Sequence, residues 1–572
     1  MEAHDQARSA LHAWQQQKPK NFYTASPFLR HLLRFYLRDE TVDAWQQRLE
    51  TFGRVCAEVI DPAAAENDRI GHHPQLRRWN DLGERTEEIV FHPSYHRAGR
   101  PAWESGILTL QEKPGQAMIQ AALFFLLSHC GEMGHACPIA CTSGLIRALQ
   151  TRGSQALQKQ FLPRLLDSNY DSLAVGAQFI TEIQGGSDVG ANACTAEPHP
   201  DRPGMWYISG EKWFCSVAHA DLFLVSARPI NAPPGTKGLG AFLVPRRLED
   251  GSLNGFTIRR LKEKFGTRTL PTAEIDFDHA LAYQIGEIDE GFKIIIEQVL
   301  NVSRWFNAIG SCGLLHRAYL EVETFARYRL AFGHPIREYP LVMEALAEIK
   351  TETMAAMAST FFLTHLIDRI DLGKATEDEK AIHRFLVNTN KYATSIAASL
   401  ALRRAQEILG GNGAVETFSI IPRLYRDSVV YESWEGSHNV LCLQVLRDCQ
   451  KYHIHRPLLR WITARLETLD TPDLAPYRDT VHHRVQTVER RLNQVLESPP
   501  ELAQLHIRRV LDELMAAFQA VCLMQHYYRE TTHQQTAELA PAIRFWIQKH
   551  INPTYDPMED NDYVRTLRNL LT

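Results

Sequence analysis

The 572-residue sequence contains no uninterrupted apolar run near eighteen residues, so no membrane-spanning helix is expected. Its opening, MEAHDQARSALHAWQQQKPK, carries acids and glutamines where an export signal needs a basic start and an apolar centre. No export is therefore expected, and a cytoplasmic location is the simplest expectation. Strong charge of either sign is also missing: the formal net charge is -5, and nothing in the composition calls for a membrane or nucleic-acid partner. The ten cysteines include no CxxC pair. Cys130, Cys137 and Cys141 come nearest to a cluster, so reduced core thiols are expected and no metal site is. Internal repeats and low-complexity tracts are absent. What remains, 44% hydrophobic and 23% charged residues over this length, describes a globular chain with several cores.

Periodicity divides the chain. From about residue 25 to 170 apolar positions recur every three or four residues, as in QAMIQAALFFLLSHCGEMG. From Ser172 to about Tyr283 short alternating runs (WYISG, DLFLVSARP, GLGAFLVP, AEIDFD) are separated by turn material such as IQGGSD and NAPPGTKG. Helical periodicity returns from Gly291 to about Cys449, and one long helix is expected to stop at Gly410-Gly411. The remainder, from Lys451, is again helical, with PTYDPMEDND near its end expected to be loose. The prediction is a mainly α chain with a middle β domain: helical 1–171, β 172–285, helical bundle 286–450 and an extra helical domain 451–572. Strands grouped in this way argue against a doubly wound sheet.

Three segments can carry chemistry. QFITEIQGGSDV, from Gln178 to Val189, gathers Thr181, Gly185, Gly186 and Ser187, small residues that let a backbone approach a ligand; a surface hairpin loop has the same composition. In GEKWFCS, Phe214 and Ser216 share one face of a strand, where one could cover a flat ring and the other bond its edge; core packing with an exposed serine is the commoner origin of such a run. In YESWEGSHNVL, Glu435 sits between Trp434 and Gly436. A carboxylate beside an indole loses solvation and becomes a better base near neutral pH, while a helix starting just after it would also favour a carboxylate there.

Together these segments resemble the acyl-CoA dehydrogenase family over roughly residues 90 to 450. The match includes T-E-x-x-x-G-S-D (Thr181, Glu182, Gly186, Ser187, Asp188) and G-x-K-x-x-x-S (Gly210, Lys212, Ser216). It extends through R-x-x-F-G-x-P (Arg329, Phe332, Gly333, Pro335), L-G-G-x-G (Leu409 to Gly413), and R-D followed by E-G-S (Arg426, Asp427, Glu435 to Ser437). The resemblance implies a helical domain, a β domain and a C-terminal four-helix bundle, with FAD between the last two. It implies that Gln178, Ile180 and Thr181 line the flavin, that Phe214 stacks on it, and that Ser216 bonds near its N5. Gly186 and Ser187 would lie where flavin and thioester meet. Arg329 and Phe332, with Gly411 of a neighbouring subunit, would hold the pyrophosphate and adenine, and Ser437 and Asn439 would add nucleotide contacts.

The implied reaction is α,β-dehydrogenation of an acyl-CoA: Glu435 takes the α-proton, and the β-hydride goes to the flavin. An electron-transferring flavoprotein is the implied acceptor and a homotetramer the implied assembly. One branch of the family carries its base on an earlier helix. There this chain has Ser303 before Arg304, which leaves Glu435 as base and gives Arg304 a structural or CoA-side role.

Phe214, Trp434, Glu407 and Pro340 depart from the usual family residues and, with FHPSYH at 91 to 96, resemble the AidB branch. That branch suggests an alternative: a stress flavoprotein with weak dehydrogenase activity that binds DNA through its C-terminal region. Residues 451–572 hold 15 Lys+Arg against 15 Asp+Glu, and HHRVQTVERR and HIRR are local clusters only. DNA binding is therefore not favoured.

Overall fold

The alternating runs after Ser172 close into a barrel. Strands β3 (Gly176–Phe179), β4 (Thr195–Pro198), β5 (Met205–Ser216), β6 (Leu222–Pro229), β7 (Gly240–Pro245), β8 (Phe256–Leu261) and β9 (Thr272–Ile285) form one seven-stranded sheet. Around it, β6 pairs with β4, β4 with β5, β5 with β9, β9 with β7, and β7 returns to β6. Most pairs are antiparallel, but β3 and β4 both run parallel to β6. Closure consumes the edges that would otherwise template other strands. β6 and β7 are buried along almost their whole length, as LFLVSARP and GAFLVP require.

The computed structural model describes residues 2–531 and 539–571. Contacts divide the chain into two compact units, one made of residues 55–306 and the other of residues 1–54 with 307–572. The first holds the barrel together with the helices between Asp61 and Leu165. Among these, Ala117–Ser128 is buried on every side, which explains its uniformly apolar sequence as that of a core helix. Among the described residues no helix is long and apolar enough to cross a membrane, and all ten cysteines are buried free thiols.

Two details depart from the periodicity reading. Within the stretch read as helical, β1 (Gln75–Trp79) and β2 (Arg85–Val90) form an antiparallel hairpin. Its turn is held by Asn80, whose Oδ1 accepts from the Leu82 and Glu84 amides at 3.0 and 2.9 Å. Charged residues in RRW and RTEEIV hid the alternation. The acidic PTYDPMEDND is anchored rather than loose: Asp560 Oδ2 accepts from Arg544 Nη2 and Tyr555 Oη, both at 2.8 Å.

The second unit is helical. Asn301–Tyr328, Pro340–Asp371, Glu377–Leu409, Ile421–Ser433 and His438–Tyr452 supply its bundle. Glu377–Leu409 starts at a capping box of Thr376 and Glu379. It stops where Gly410 takes φ +62, a conformation that a Cβ would strain. Beyond the bundle, Pro500–Thr531 packs against Ala475–Glu497, Pro340–Asp371 and His438–Tyr452. The extra helices are thus part of one helical unit.

Candidate active site

In the barrel unit the candidate residues surround one buried ion pair. Lys212, on β5, is 0% exposed. Its Nζ lies 2.7 Å from Glu182 Oε1 and donates to Ile180 O and Ser226 Oγ, each at 3.2 Å. Glu182 also accepts from the Cys194 amide at 3.1 Å. Burial pushes the Glu182 carboxyl up, but the charge and hydrogen bond of Lys212 and the two backbone amides outweigh it, so its pKa lies below the ordinary value. The pair fixes the chain at Ile180–Glu182, and the Trp213 amide donates to Thr181 O at 2.9 Å to tie that segment to β5.

On the same strand Phe214 is 54% exposed and Cys215 is buried, so Phe214 and half-buried Ser216 lie on the open side of the pleat. Ser216 Oγ is 3.1 Å from Thr272 Oγ1. Lys262 Nζ stands 3.5 Å from the Trp213 ring centroid and 4.9 Å from that of Phe214. Gln178 Nε2 donates to Ser303 Oγ at 3.1 Å. A Cβ on Gly186 would lie 2.5 Å from Thr181 Oγ1, so only glycine fits beside that hydroxyl, and Ser187 next to it is exposed. Arg304 is buried, with Nη1 3.2 Å from Asn301 Oδ1.

The helical unit carries its candidates at three places. After Asn301–Tyr328 comes exposed Arg329, then a two-residue hairpin, Leu330–Ala331 with His334–Pro335. Its turn residues Phe332 and Gly333 have φ +52 and +89, and Phe332 is 95% exposed. A phenylalanine held left-handed with its ring in the open is a costly arrangement for a turn alone. Gly411 is exposed beyond Leu409, with nothing within 4 Å of a Cβ placed on it.

The third place is the turn between Ile421–Ser433 and His438–Tyr452. Glu435 there is half-buried at φ +58, followed by Gly436 at +103. Lys391 Nζ, from the middle of Glu377–Leu409, donates to Glu432 O at 3.2 Å and Gly436 O at 3.1 Å, one carbonyl on each side of Glu435. Asn307 Nδ2 donates to Tyr431 O at 3.0 Å, holding the preceding turn. His438 Nε2 is 3.0 Å from Glu432 Oε2. Burial raises the Glu432 carboxyl, and the His438 and Ser399 hydrogen bonds overcome that to leave it below the ordinary value. Trp434 Nε1 is buried without a hydrogen-bond partner among the described residues. Ser437 caps the following helix by position, and exposed Asn439 accepts from Arg508 Nη1 at 3.4 Å.

Lys391, Asn307 and Lys262 were not singled out in the sequence. Lys391 left one signal: it is a cation at the head of KYATSIAAS, a run with no other charge. The C-terminal arginines are partly engaged. Arg491 pairs with Glu513 at 2.6 Å, Arg509 lies 3.2 Å from His506 Nδ1, and Arg490 donates to Thr487 Oγ1 at 3.3 Å.

Known families match the chain in order. Residues 14–172 match the adaptive response protein AidB N-terminal domain, 177–280 the acyl-CoA dehydrogenase middle domain, and 289–449 the acyl-CoA dehydrogenase C-terminal domain. Acyl-CoA dehydrogenase family member 11 of Caenorhabditis elegans is 30% identical over 75% of this chain and 70% of its own length. The AidB protein of Escherichia coli (strain K12) is 32% identical over 66% of this chain and 69% of its own. The crystal structure of Caenorhabditis elegans ACDH-11 in complex with C11-CoA superposes with a TM-score of 0.86 at 25% identity, covering 92% of this chain and 91% of that one. With helical, barrel and bundle segments matched in sequence order, the chain belongs to the acyl-CoA dehydrogenase family, in its AidB-like branch.

Proposed function

We propose that the protein is an FAD-dependent acyl-CoA dehydrogenase in which Glu435 removes the α-proton of an acyl thioester. The observation that carries this reading is the backbone of Glu435. A non-glycine residue at φ +58, pinned through Glu432 O and Gly436 O by a buried lysine, is strain of about 1–3 kcal/mol that a plain helix connection does not need. The turn gives the carboxylate and its own backbone N–H one fixed direction. That N–H would donate to the thioester carbonyl and stabilise the developing enolate while the carboxylate accepts the proton.

The residues present fit FAD. Phe214 and Phe332 offer exposed rings, and Ser216 a hydroxyl on the open side of β5. Gln178, Ile180, Thr181, Ser187, Phe214 and Ser216 would hold the flavin, and Arg329, Phe332, Gly411, Ser437 and Asn439 the nucleotide, with Gly411 coming from a neighbouring subunit of a homotetramer. Bound FAD would supply the acceptor for the β-hydride. The unpaired Trp434 Nε1 beside Glu435 leaves a donor for the bound partners. Ser187 and Arg304 would serve the CoA side. The substrate class is supported by the C11-CoA bound to the related C. elegans structure. An electron-transferring flavoprotein in the cytoplasm would reoxidise the enzyme.

Anaerobic mixing of the flavin-loaded protein with acyl-CoAs of graded length tests the reading. At least one should bleach the flavin absorbance, and no bleaching at any length overturns it. Glu435→Gln should slow bleaching about 10²–10⁴-fold and keep FAD bound; loss of FAD instead would make Glu435 structural.

A further inference from the structure

Far from Glu435 in sequence, and wholly within the barrel unit, two imidazoles and a carboxylate converge. Glu66 lies in the helix Asp61–Asn67, His72 in the loop after it, and His92 at the N-cap of the helix Pro93–Glu104. The His72 and His92 rings stack with centroids 3.7 Å apart and planes 8° apart, so one ring must turn out of the stack for both in-plane lone pairs to meet on one ion. One ligand atom of each of the three residues lies within 4.8 Å of the others, and all three residues are half-buried. We propose that Glu66, His72 and His92 form a binding site for a divalent transition-metal ion of the zinc type.

The surrounding hydrogen bonds set the tautomers of the imidazoles. His72 Nδ1 is 2.8 Å from Glu66 O, a carbonyl that can only accept. The proton is therefore on Nδ1, and Nε2 carries the lone pair. For His92 two tautomers compete. In one, Nδ1 accepts from the Ser94 amide at 3.3 Å. In the other, Nδ1–H donates to Ser94 Oγ at 2.7 Å, and the Ser94 hydroxyl passes its proton on to Asn67 Oδ1 at 3.4 Å. The second tautomer leaves Nε2 as the ligand, and a cation selects it. Asn67 is buried and its Nδ2 reaches Glu132 Oε2 at 3.5 Å, so the relay ends on a buried carboxylate. A metal-binding histidine oriented through its second nitrogen is the arrangement that fixes ring direction and raises ligand basicity.

Glu66 is contested: Arg97 bonds its Oε2 and would compete with a metal ion for the carboxylate. Its Oε1 has no hydrogen bond among the described residues and is the third ligand. Two imidazole nitrogens and one carboxylate oxygen, with water completing the shell, suit Zn²⁺, Co²⁺ or Ni²⁺ better than Ca²⁺ or Mg²⁺, which prefer all-oxygen shells. The ion would join the end of one helix to the start of another and close the loop of residues 68–91 that carries the β1–β2 hairpin. Its contribution is to stability and does not depend on the dehydrogenase reading.

The test is titration of the chelator-treated full chain with Co²⁺ and Zn²⁺, followed by visible absorption, calorimetry and thermal melting. Wild type should take up one saturable equivalent, and Zn²⁺ should raise its melting temperature. His72→Gln should lose that equivalent. His92→Asn, which keeps a capping side chain, should do the same. Ser94→Ala should weaken binding about 10–100-fold. Arg97→Gln should tighten it, because a competing cation is removed. With 25 histidines and ten cysteines in the chain, uptake elsewhere is the competing explanation. Absence of saturable uptake, or uptake unchanged in His72→Gln, overturns the site. If His92→Asn does not fold, His72→Gln decides, since its ring belongs to a loop and caps no helix.

Discussion

Two fully buried lysines hold the two halves of the proposed chemistry, and they do so differently. Lys212 in the barrel neutralises Glu182 and grips the Ile180 carbonyl. Lys391 in the helical unit grips the carbonyls of Glu432 and Gly436 around the turn of Glu435. Lys212 is closed in by a carboxylate at hydrogen-bond distance, whereas Lys391 spans two carbonyls of one turn and sets its charge beside Glu432. Breaking a buried pair strands a charge and threatens the whole unit, whereas removing a clamp frees one turn. The barrel lysine is therefore expected to act on stability first, and the bundle lysine on the turn that carries the proposed base.

That contrast is breakable by mutation. Lys212→Met leaves Glu182 buried without its partner and should cost about 3–5 kcal/mol in denaturant unfolding, with much of it recovered in Lys212→Met/Glu182→Gln. If the double variant is no better than the single, the pairing account fails. Lys391→Met should leave two carbonyls poorly satisfied, cost about 1–3 kcal/mol, and slow flavin bleaching with little change in the substrate concentration needed for half its rate. A stability loss with an unchanged bleaching rate would remove Lys391 from the catalytic side of the comparison.

Acid sharpens the same contrast. Because the folded pKa of Glu182 lies below its ordinary value of 4.5, its contribution is present above that pH and fades as pH falls through the folded value. Glu182→Gln should flatten the acid limb of a stability-against-pH curve below about 4.5. The smallest effect is expected from cations already engaged. Neutralising Arg490, Arg491, Arg508 and Arg509 together should barely alter duplex DNA binding or its salt slope; a steep loss would revive the DNA-binding alternative.

How far each feature could be read in advance follows from how locally it is encoded. The middle β domain was legible because short β-rich runs such as WYISG and GLGAFLVP alternate with turn material, though its closure into a barrel was not, and the helix end at Gly410 was legible because one glycine decides it. Glu182 and Lys212 stood out only as positions in two short motifs, and their pairing was not read, because the two motifs meet only in the folded barrel. The hairpin of β1 and β2 was not, since its strands are short and charged and its turn rests on Asn80. Lys391 was not, because its partners are backbone carbonyls some forty residues away, and a carbonyl has no letter in a sequence. His72 and His92 lie twenty residues apart across that hairpin, a separation unlike metal-binding spacings within a single turn or helix.

The left-handed turn at Glu435 has a consequence for what selection can do with this chain. At φ +58 a Cβ is a liability, and Glu435→Gly would relieve on the order of 1 kcal/mol of backbone strain while deleting the carboxylate. The proposed base thus sits at a position whose backbone favours glycine. Comparing the melting temperatures of wild type and Glu435→Gly would measure that strain net of the contacts the Glu435 side chain makes.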